Sequence, residues 1–342
     1  MAYTTINKSG DYFNTKLYSG TGSTNAITGV GFQPDWTWIK ARDHAYSHHL
    51  QDAVRGTGKD LYSNSTDAEY SNANSLTTFG SDGFTVGSDN GVNNGSKTFA
   101  SWNWKANGTG SANTDGNITT TVSANTTAGF SIVSWTGTGN AQTLGHGLGS
   151  APNMIILKER SATSQWQVTN DALGWTKRLN LDDTSTADTT SYIWNDTAPT
   201  SSVFSIGTSG AVTENGQTYI AYCFAEKTGY SKFGSYTGNG NADGTFVYTG
   251  FKPAFVMLKR SSNTSDWYMF DNKREGYNVD NDEIYANLSN VEDTADRLDI
   301  LSNGFKMRTT GGNLNGSGET FIFMAFASAP LVGSNNVPCT AR

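Results

Sequence analysis

The sequence predicts an all-β protein of three tandem antiparallel β-sandwich repeats, jelly-roll-like, with short loops and little helix. Three observations predict it. Gly counts 38 among 342 residues, aromatics reach 12% and charged residues only 15%, a mixture that supplies many tight turns and bulky inward strand faces. Few windows carry apolar residues at helical spacing. Most telling, the chain repeats itself.

The repeat is legible in four anchors. The segments 31–40, 149–158 and 250–259 each carry a Pro followed six positions later by a Lys: Pro34 and Lys40, Pro152 and Lys158, Pro253 and Lys259. Arg42, Arg160 and Arg260 follow. Upstream of each lies a Gly-rich turn, Gly20-Thr21-Gly22, Gly137-Thr138-Gly139 and Gly238-Asn239-Gly240. Phe84, Phe204 and Phe305 stand 50, 52 and 52 residues after their Pro, and Asn94-Gly95, Asn215-Gly216 and Asn315-Gly316 follow. Each copy closes on an aromatic strand at 98–104, 218–224 and 320–326.

Taken in chain order, residues 1–15 are too few for a domain and read as an attachment segment. Repeat one spans 16–106. Its Pro sits at a strand start, where no ladder donor is needed, and Trp36-Thr37-Trp38-Ile39 reads as a buried strand. Ser81-Asp82-Gly83-Phe84 reads as a turn feeding the next strand. Residues 107–128 begin with a Gly/Ser/Asn run lacking core residues and read as a linker. Repeats two and three span 129–228 and 229–329, and 330–342 form a tail. The tighter junction at 227–231 predicts that repeats two and three pack as a pair, with repeat one more independent. About seven or eight short strands per repeat, turning every ten residues or so, suit a jelly-roll sandwich.

A formal charge of −7 with no Lys/Arg-rich run argues against nucleic acid as a partner. No stretch reaches the ~20 apolar residues of a membrane span, and the N-terminus shows no secretory pattern. Cys223 and Cys339 are expected as free thiols of a chain made in a reducing cytosol.

The search for chemistry yields few candidates, and no cofactor is implied. His44 and His48, which would share a face if helical, and the acids Asp280 and Asp282 are weak metal candidates set against a reading as polar loops. No paired carboxylates occupy a strand in the pattern a sandwich glycanase needs, and no nucleophile elbow or phosphate loop is present. The repeated Lys and Arg read as strand-end groups pairing with loop acids. Trp166, Trp175, Trp194, Trp267 and Tyr268 lie among Ser, Thr, Asn and Asp and are the candidate binding residues, for sugar faces or protein surfaces; the competing reading places half of each alternating set in the core.

Gly31-Phe32-Gln33-Pro34-Asp35-Trp36-Thr37-Trp38-Ile39-Lys40, the segment 49–56, Leu61-Tyr62-Ser63-Asn64-Ser65 and Ser81-Asp82-Gly83-Phe84-Thr85-Val86-Gly87 together resemble a domain of tailed-bacteriophage virion proteins, notably tail fibres and other tail-associated proteins. The resemblance is full over 16–105 and diluted over 130–328, where the Leu-x-Asp-x-x-Arg-Gly portion is lacking. It implies assembly in a bacterial cytoplasm and a place on a virion. The expected function is therefore a non-enzymatic virion structural protein of the tail, a homo-oligomer held by other virion proteins and touching a host-surface glycan or protein. Capsid decoration or a head fibre is the alternative, and a polysaccharide-degrading enzyme a third.

Overall fold

The computed structural model describes residues 4–274, 278 and 282–330. The first third of the chain forms β1 (Phe13–Ser19), β2 (Asn25–Thr28), β3 (Trp36–Ala41), β4 (His49–Asp52), β5 (Lys59–Asp60), β6 (Tyr70–Ser71), β7 (Leu76–Gly80), β8 (Gly83–Val86) and β9 (Thr98–Trp104). The first strand pairs with the last and the second with the last but one, giving an inner sheet β1-β9-β3-β4 and an outer sheet β2-β8-β7. This is the nested pairing of a jelly roll, except that β4 joins β3 as a local hairpin.

The second third adds β10 (Ser111–Asn113), β11 (Thr120–Asn125), β12 (Phe130–Thr136), β13 (Gln142–Gly145), β14 (Met154–Glu159), β15 (Gln167–Asn170), β16 (Lys177–Asn180), β17 (Asp188–Thr189), β18 (Val203–Ile206) and β19 (Thr218–Phe224). Its inner core β12-β19-β14-β15 repeats the first sheet, and β13-β18 is its outer pair. The final third has β20 (Ser231–Thr237), β21 (Phe246–Tyr248), β22 (Phe251–Arg260), β23 (Trp267–Asp271), β24 (Ile284–Tyr285), β25 (Leu298–Leu301), β26 (Gly304–Met307) and β27 (Thr320–Pro330). It gives β20-β27-β22-β23 with β24 at the edge, and β21-β26-β25 outside. The α-helices among the described residues are single turns: α1 (Asn90–Asn93), α2 (Ser191–Trp194), α3 (Gly210–Thr213) and α4 (Gly312–Asn315).

The linker expectation fails. Within 107–128, β10 pairs with β11 and β11 with β12, extending the second inner sheet to eight strands. Val122 enters the second sandwich core. The Thr- and Ser-rich run that resembled a linker is a strand in which Thr121 is exposed while Thr120 and Ser123 are buried along with Val122.

Each third has its own core between inner and outer sheets. The same aromatic stack occurs in each. Tyr18 lies on Phe99 with ring centres 5.1 Å apart, Trp135 on Tyr219 at 5.3 Å, and Tyr236 on Phe321 at 4.8 Å. Their polar tips reach one helix turn each: Tyr18 donates to Val92 O at 2.7 Å, Trp135 Nε1 to Val212 O at 3.1 Å and Tyr236 to Leu314 O at 2.7 Å. Phe84, Phe204 and Phe305 all point into these cores.

A fourth, larger core lies where the three inner sheets meet. It takes Trp36, Trp104 and Phe13 from the first third, Tyr222 and Phe224 from the second, and Phe255 and Phe326 from the third. Trp36 stacks on Tyr222 at 4.2 Å, Phe13 on Phe326 at 5.2 Å, and Phe224 meets Phe326 at 5.9 Å. The inner sheets are thus covered on both faces, and every residue of β3 and β14 is buried. The first third is as deeply joined as the others, so the expected independence of repeat one is not observed. Each fully buried large side chain is worth about 1.5–3 kcal/mol in removal from water, and the shared core collects them from all three thirds.

Candidate functional site

The chemistry-bearing residues collect at three joints between neighbouring sandwiches. Pairing with the last strand aligns Trp36, Met154 and Phe255, which makes Lys40, Lys158 and Lys259 equivalent. All three are buried. Lys158 Nζ donates to Glu159 O at 2.7 Å and to Thr66 O of the first sandwich at 3.3 Å; Lys259 Nζ donates to Ser265 O at 2.5 Å and to Thr184 O of the second at 3.0 Å. Lys40 Nζ donates to Ala41 O and His44 O. Burial pulls each ammonium down to about 8.

A ring N–H crosses each joint at the entry to the fourth inner strand. Trp166 Nε1 donates to Tyr62 O at 2.9 Å and Trp267 Nε1 to Asn180 O at 2.8 Å. His48 holds the same position in the first sandwich, with Nε2 2.9 Å from Tyr285 O. Trp38 Nε1 donates to His48 Nδ1 at 2.8 Å. An indole nitrogen only donates, so His48 carries its proton on Nε2 and gives it to Tyr285 O. Burial lowers its pKa well below the usual value, which keeps it neutral. The joints therefore run first to second, second to third, and third back to first, closing a ring.

Two joints share an ion triad. Glu69 is held by Arg160 Nε at 2.8 Å and Arg55 Nη1 at 3.3 Å; Glu292 is held by Arg42 Nη2 at 2.6 Å and Arg274 Nη1 at 2.9 Å. Burial alone would raise Glu292, but the two guanidinium groups outweigh it and hold the carboxyl at about 2. Each inner Arg also bonds an Asp three residues earlier, Arg55 to Asp52 and Arg274 to Asp271. A backbone bond accompanies each triad, from Glu69 N to Arg160 O at 2.7 Å and from Glu292 N to Arg42 O at 2.8 Å, and at the remaining joint it persists, from Ala187 N to Ser261 O at 3.0 Å. There Ser261, Ala187 and Leu173 stand where the others have Arg, Glu and Arg, and Leu173 and Ala187 pack on the central core. A buried ion triad and a well-packed apolar set are close to interchangeable in stability, provided that all members change together.

One acidic cluster has no counterpart in this pattern. Glu283 Oε1 accepts from Tyr285 Oη at 2.5 Å and lies 3.1 Å from Arg297 Nη1, while Arg297 Nη2 reaches Asp293 at 3.8 Å. Burial raises the Glu283 carboxyl to about 7. It sits beside an open cleft of about 480 Å³ lined by Ala45, Tyr285, Asn290, Val291, Glu292 and Asp293. Yet Glu283 is 0% exposed. A general acid must lie within hydrogen-bond reach of the atom it protonates, and an enclosed carboxyl facing a tyrosine and an arginine does not meet that condition.

The predicted binding aromatics are placed differently from expectation. Trp166, Trp194, Trp267 and Tyr268 are buried. Trp166 and Trp267 are joint ties, Trp194 belongs to the second sandwich core and Tyr268 to the third. Rings enclosed on all sides cannot offer a face to a ligand. Trp175 alone is half-buried; it meets Trp194 edge-on at 6.3 Å and donates to Asp171 at 3.0 Å. Among the described residues the aromatics exposed above 40% are instead Tyr70, Tyr192, Phe246 and Tyr248.

The metal expectation for His44 and His48 also fails. His44 is exposed against Tyr46, while both His48 nitrogens are engaged in the joint. Among the described residues no group of three His, Cys, Asp or Glu could hold a metal. Asp282 lies 3.9 Å from Arg42 Nη2 in the third joint. Asp280 lies outside the described residues, as does Cys339. Cys223 is a buried free thiol.

Three further readings need correction. Pro34 and Pro152 precede their strands, but Pro253 lies inside β22 at a break in register, a bulge being another place that tolerates the missing donor. Arg260 stands one position early and donates to Gly312 O and Thr264 O rather than entering a joint. The Asp-x-x-Arg portion, read as missing after the first repeat, recurs as Asp271 and Arg274. A two-residue signature inside the longer motif was the signal that could have found it.

No curated protein and no solved structure matches the chain. A family model described as a domain of unknown function, DUF7483, matches residues 8–330. That span takes in all three sandwiches and every joint between them, and the chain belongs to this family.

Proposed function

We propose that the protein is a non-enzymatic structural protein of a bacteriophage virion, tail-associated, whose ring of sandwiches is a rigid mount for surface loops that touch the host. The observation that carries this reading is the closed ring of joints: a ring N–H at every joint, two of the three buried lysines and two Arg–Glu triads are spent on holding three sandwiches together. The carboxyl most like a general acid, Glu283, is itself buried. The virion assignment is supported by the motif resemblance over residues 16–105. A rigid body with loops on its rim suits attachment better than catalysis, because recognition residues sit well on loops carried by a fixed scaffold.

Immunogold labelling of purified virions with antibody to this chain tests the reading. Gold on the tail or its fibres is the expected result. Gold over the head would replace attachment with capsid decoration, and gold on neither would remove the virion assignment.

A further inference from the structure

The three sandwiches serve as controls for one another, and one surface differs. Ile27, Leu144 and Val247 are equivalent, each pairing with the anchor Phe of its outer sheet. The residues on either side point outward, because successive side chains alternate between faces. In the first sandwich these are Ala26 and Thr28, both exposed, and in the second Thr143 and Gly145, where Asn117 and Asn113 cover the face. In the third they are Phe246 and Tyr248, 43% and 56% exposed. Two copies of the same strand fold without outward rings, so the architecture does not require them.

We propose that the outer face of β21-β26-β25 is a binding platform for a neutral glycan, with Phe246 and Tyr248 as its stacking rings. The site deepens the attachment reading and rests on it. The two rings stand about 7 Å apart along an edge strand, a spacing that linked sugar rings can match with their C–H faces. Lys306 lies directly across from Phe246 and Asp299 directly across from Lys306. Lys306 pairs with Asp243 at 2.5 Å, and Arg308 pairs with Asp299 and lies 3.6 Å from Asp243. Two cations and two anions neutralise one another and leave donors and acceptors without a net field. That matches a hydroxyl-rich, uncharged ligand rather than a polyanion.

The size of the patch points the same way. Two half-exposed rings offer about 200 Å², against the ~800 Å² that a stable protein interface takes from each partner. Gly304, across from Tyr248, is no part of the specialisation: a Cβ there would strike Val247 O, and Gly83 fills the same role against Ile27 O in the first sandwich.

Affinity electrophoresis of the full chain through gels carrying a β-glucan, a mannan, a galactan or a polyuronate tests the site. At least one neutral polymer should retard the wild type. The Phe246→Ala/Tyr248→Ala variant should lose at least tenfold in affinity with an unchanged melting temperature, and Phe246→Trp should still bind. Undiminished binding by the double Ala variant would overturn the site and leave the attachment reading standing. Retardation by the polyuronate alone, or by none of the four, would also overturn it. A self-association abolished by the double variant would make a second copy of the chain the occupant and overturn the glycan. Gold labelling of the virion is independent of every one of these results.

Discussion

Lys40, Lys158 and Lys259 show how one residue can be legible by position and hidden in role. Their spacing from the prolines marks them in the sequence, but strand-end capping with loop acids is what the spacing suggests. The structure buries each ammonium against carbonyls, with the aliphatic stem on the face of the inner sheet that turns to the shared core, beside Trp38, Ile156 and Met257. Their titration yields a prediction with a definite sign. In the unfolded chain these groups titrate near 10.5, and in the fold near 8. Between those values the unfolded chain holds more protons, so stability rises with pH. The gain is on the order of 3 kcal/mol per lysine over the full window. Above about pH 10 the buried tyrosines oppose it, because Tyr18, Tyr222, Tyr230 and Tyr236 have pKa values raised by burial. Urea unfolding should therefore show a higher midpoint at pH 9.5 than at pH 7.5. Replacing all three lysines with Met should flatten that rise, and a slope that survives the replacement would show that other groups cause it.

At the scale of elements, the Gly-rich turns and single-turn helices form one device used three times. Gly22, Gly139 and Gly240 donate their N–H to Asn93 O, Thr213 O and Asn315 O. The side chains of Asn93, Thr213 and Asn315 accept from the N–H one residue before. The first glycine of each turn lies so close to the following backbone that a Cβ on Gly20, Gly137 or Gly238 would strike the carbonyl of Asn94, Glu214 or Gly316. The sequence pairs Asn94, Asn215 and Asn315 by their following glycines, whereas contact pairs Asn93 with Thr213 and Asn315. Gly137→Ala should cost about 1–3 kcal/mol through forced displacement. Gly174→Ala, at φ +87° with open space around it, should cost only about 1–2 kcal/mol for its backbone conformation. Denaturant melts of the two variants compare them directly, and equal losses would mean that packing at the turn is slack.

For the whole molecule the ring of joints predicts cooperative unfolding. Trp36 of the first sandwich lies on Tyr222 of the second, and Trp102 Nε1 of the first donates to Asp271 of the third at 3.0 Å. No sandwich can leave without exposing the central core and stranding buried polar groups in its neighbours. Calorimetry should show one transition whose van't Hoff and calorimetric enthalpies agree. Three resolved transitions would show that the sandwiches are energetically separate.

The all-β class and the recurring anchors follow from the sequence by itself, because turn glycines, prolines and strand alternation are local properties of the chain; the strands β10 and β11, in a run read as a linker, do not. How the copies join was decided only in three dimensions. Equivalent joint positions hold different residues, His48, Trp166 and Trp267 in one case and Arg or Leu in another, and their partners are mostly backbone carbonyls, which carry no sequence signal. The fate of the aromatics was hidden for a related reason. An inner strand covered on both faces has no polar side to alternate with, so Trp166 and Trp267 among Ser and Asn resembled surface rings, while Phe246 and Tyr248, which are exposed, drew no notice. Which face of each sheet met the common axis settled both.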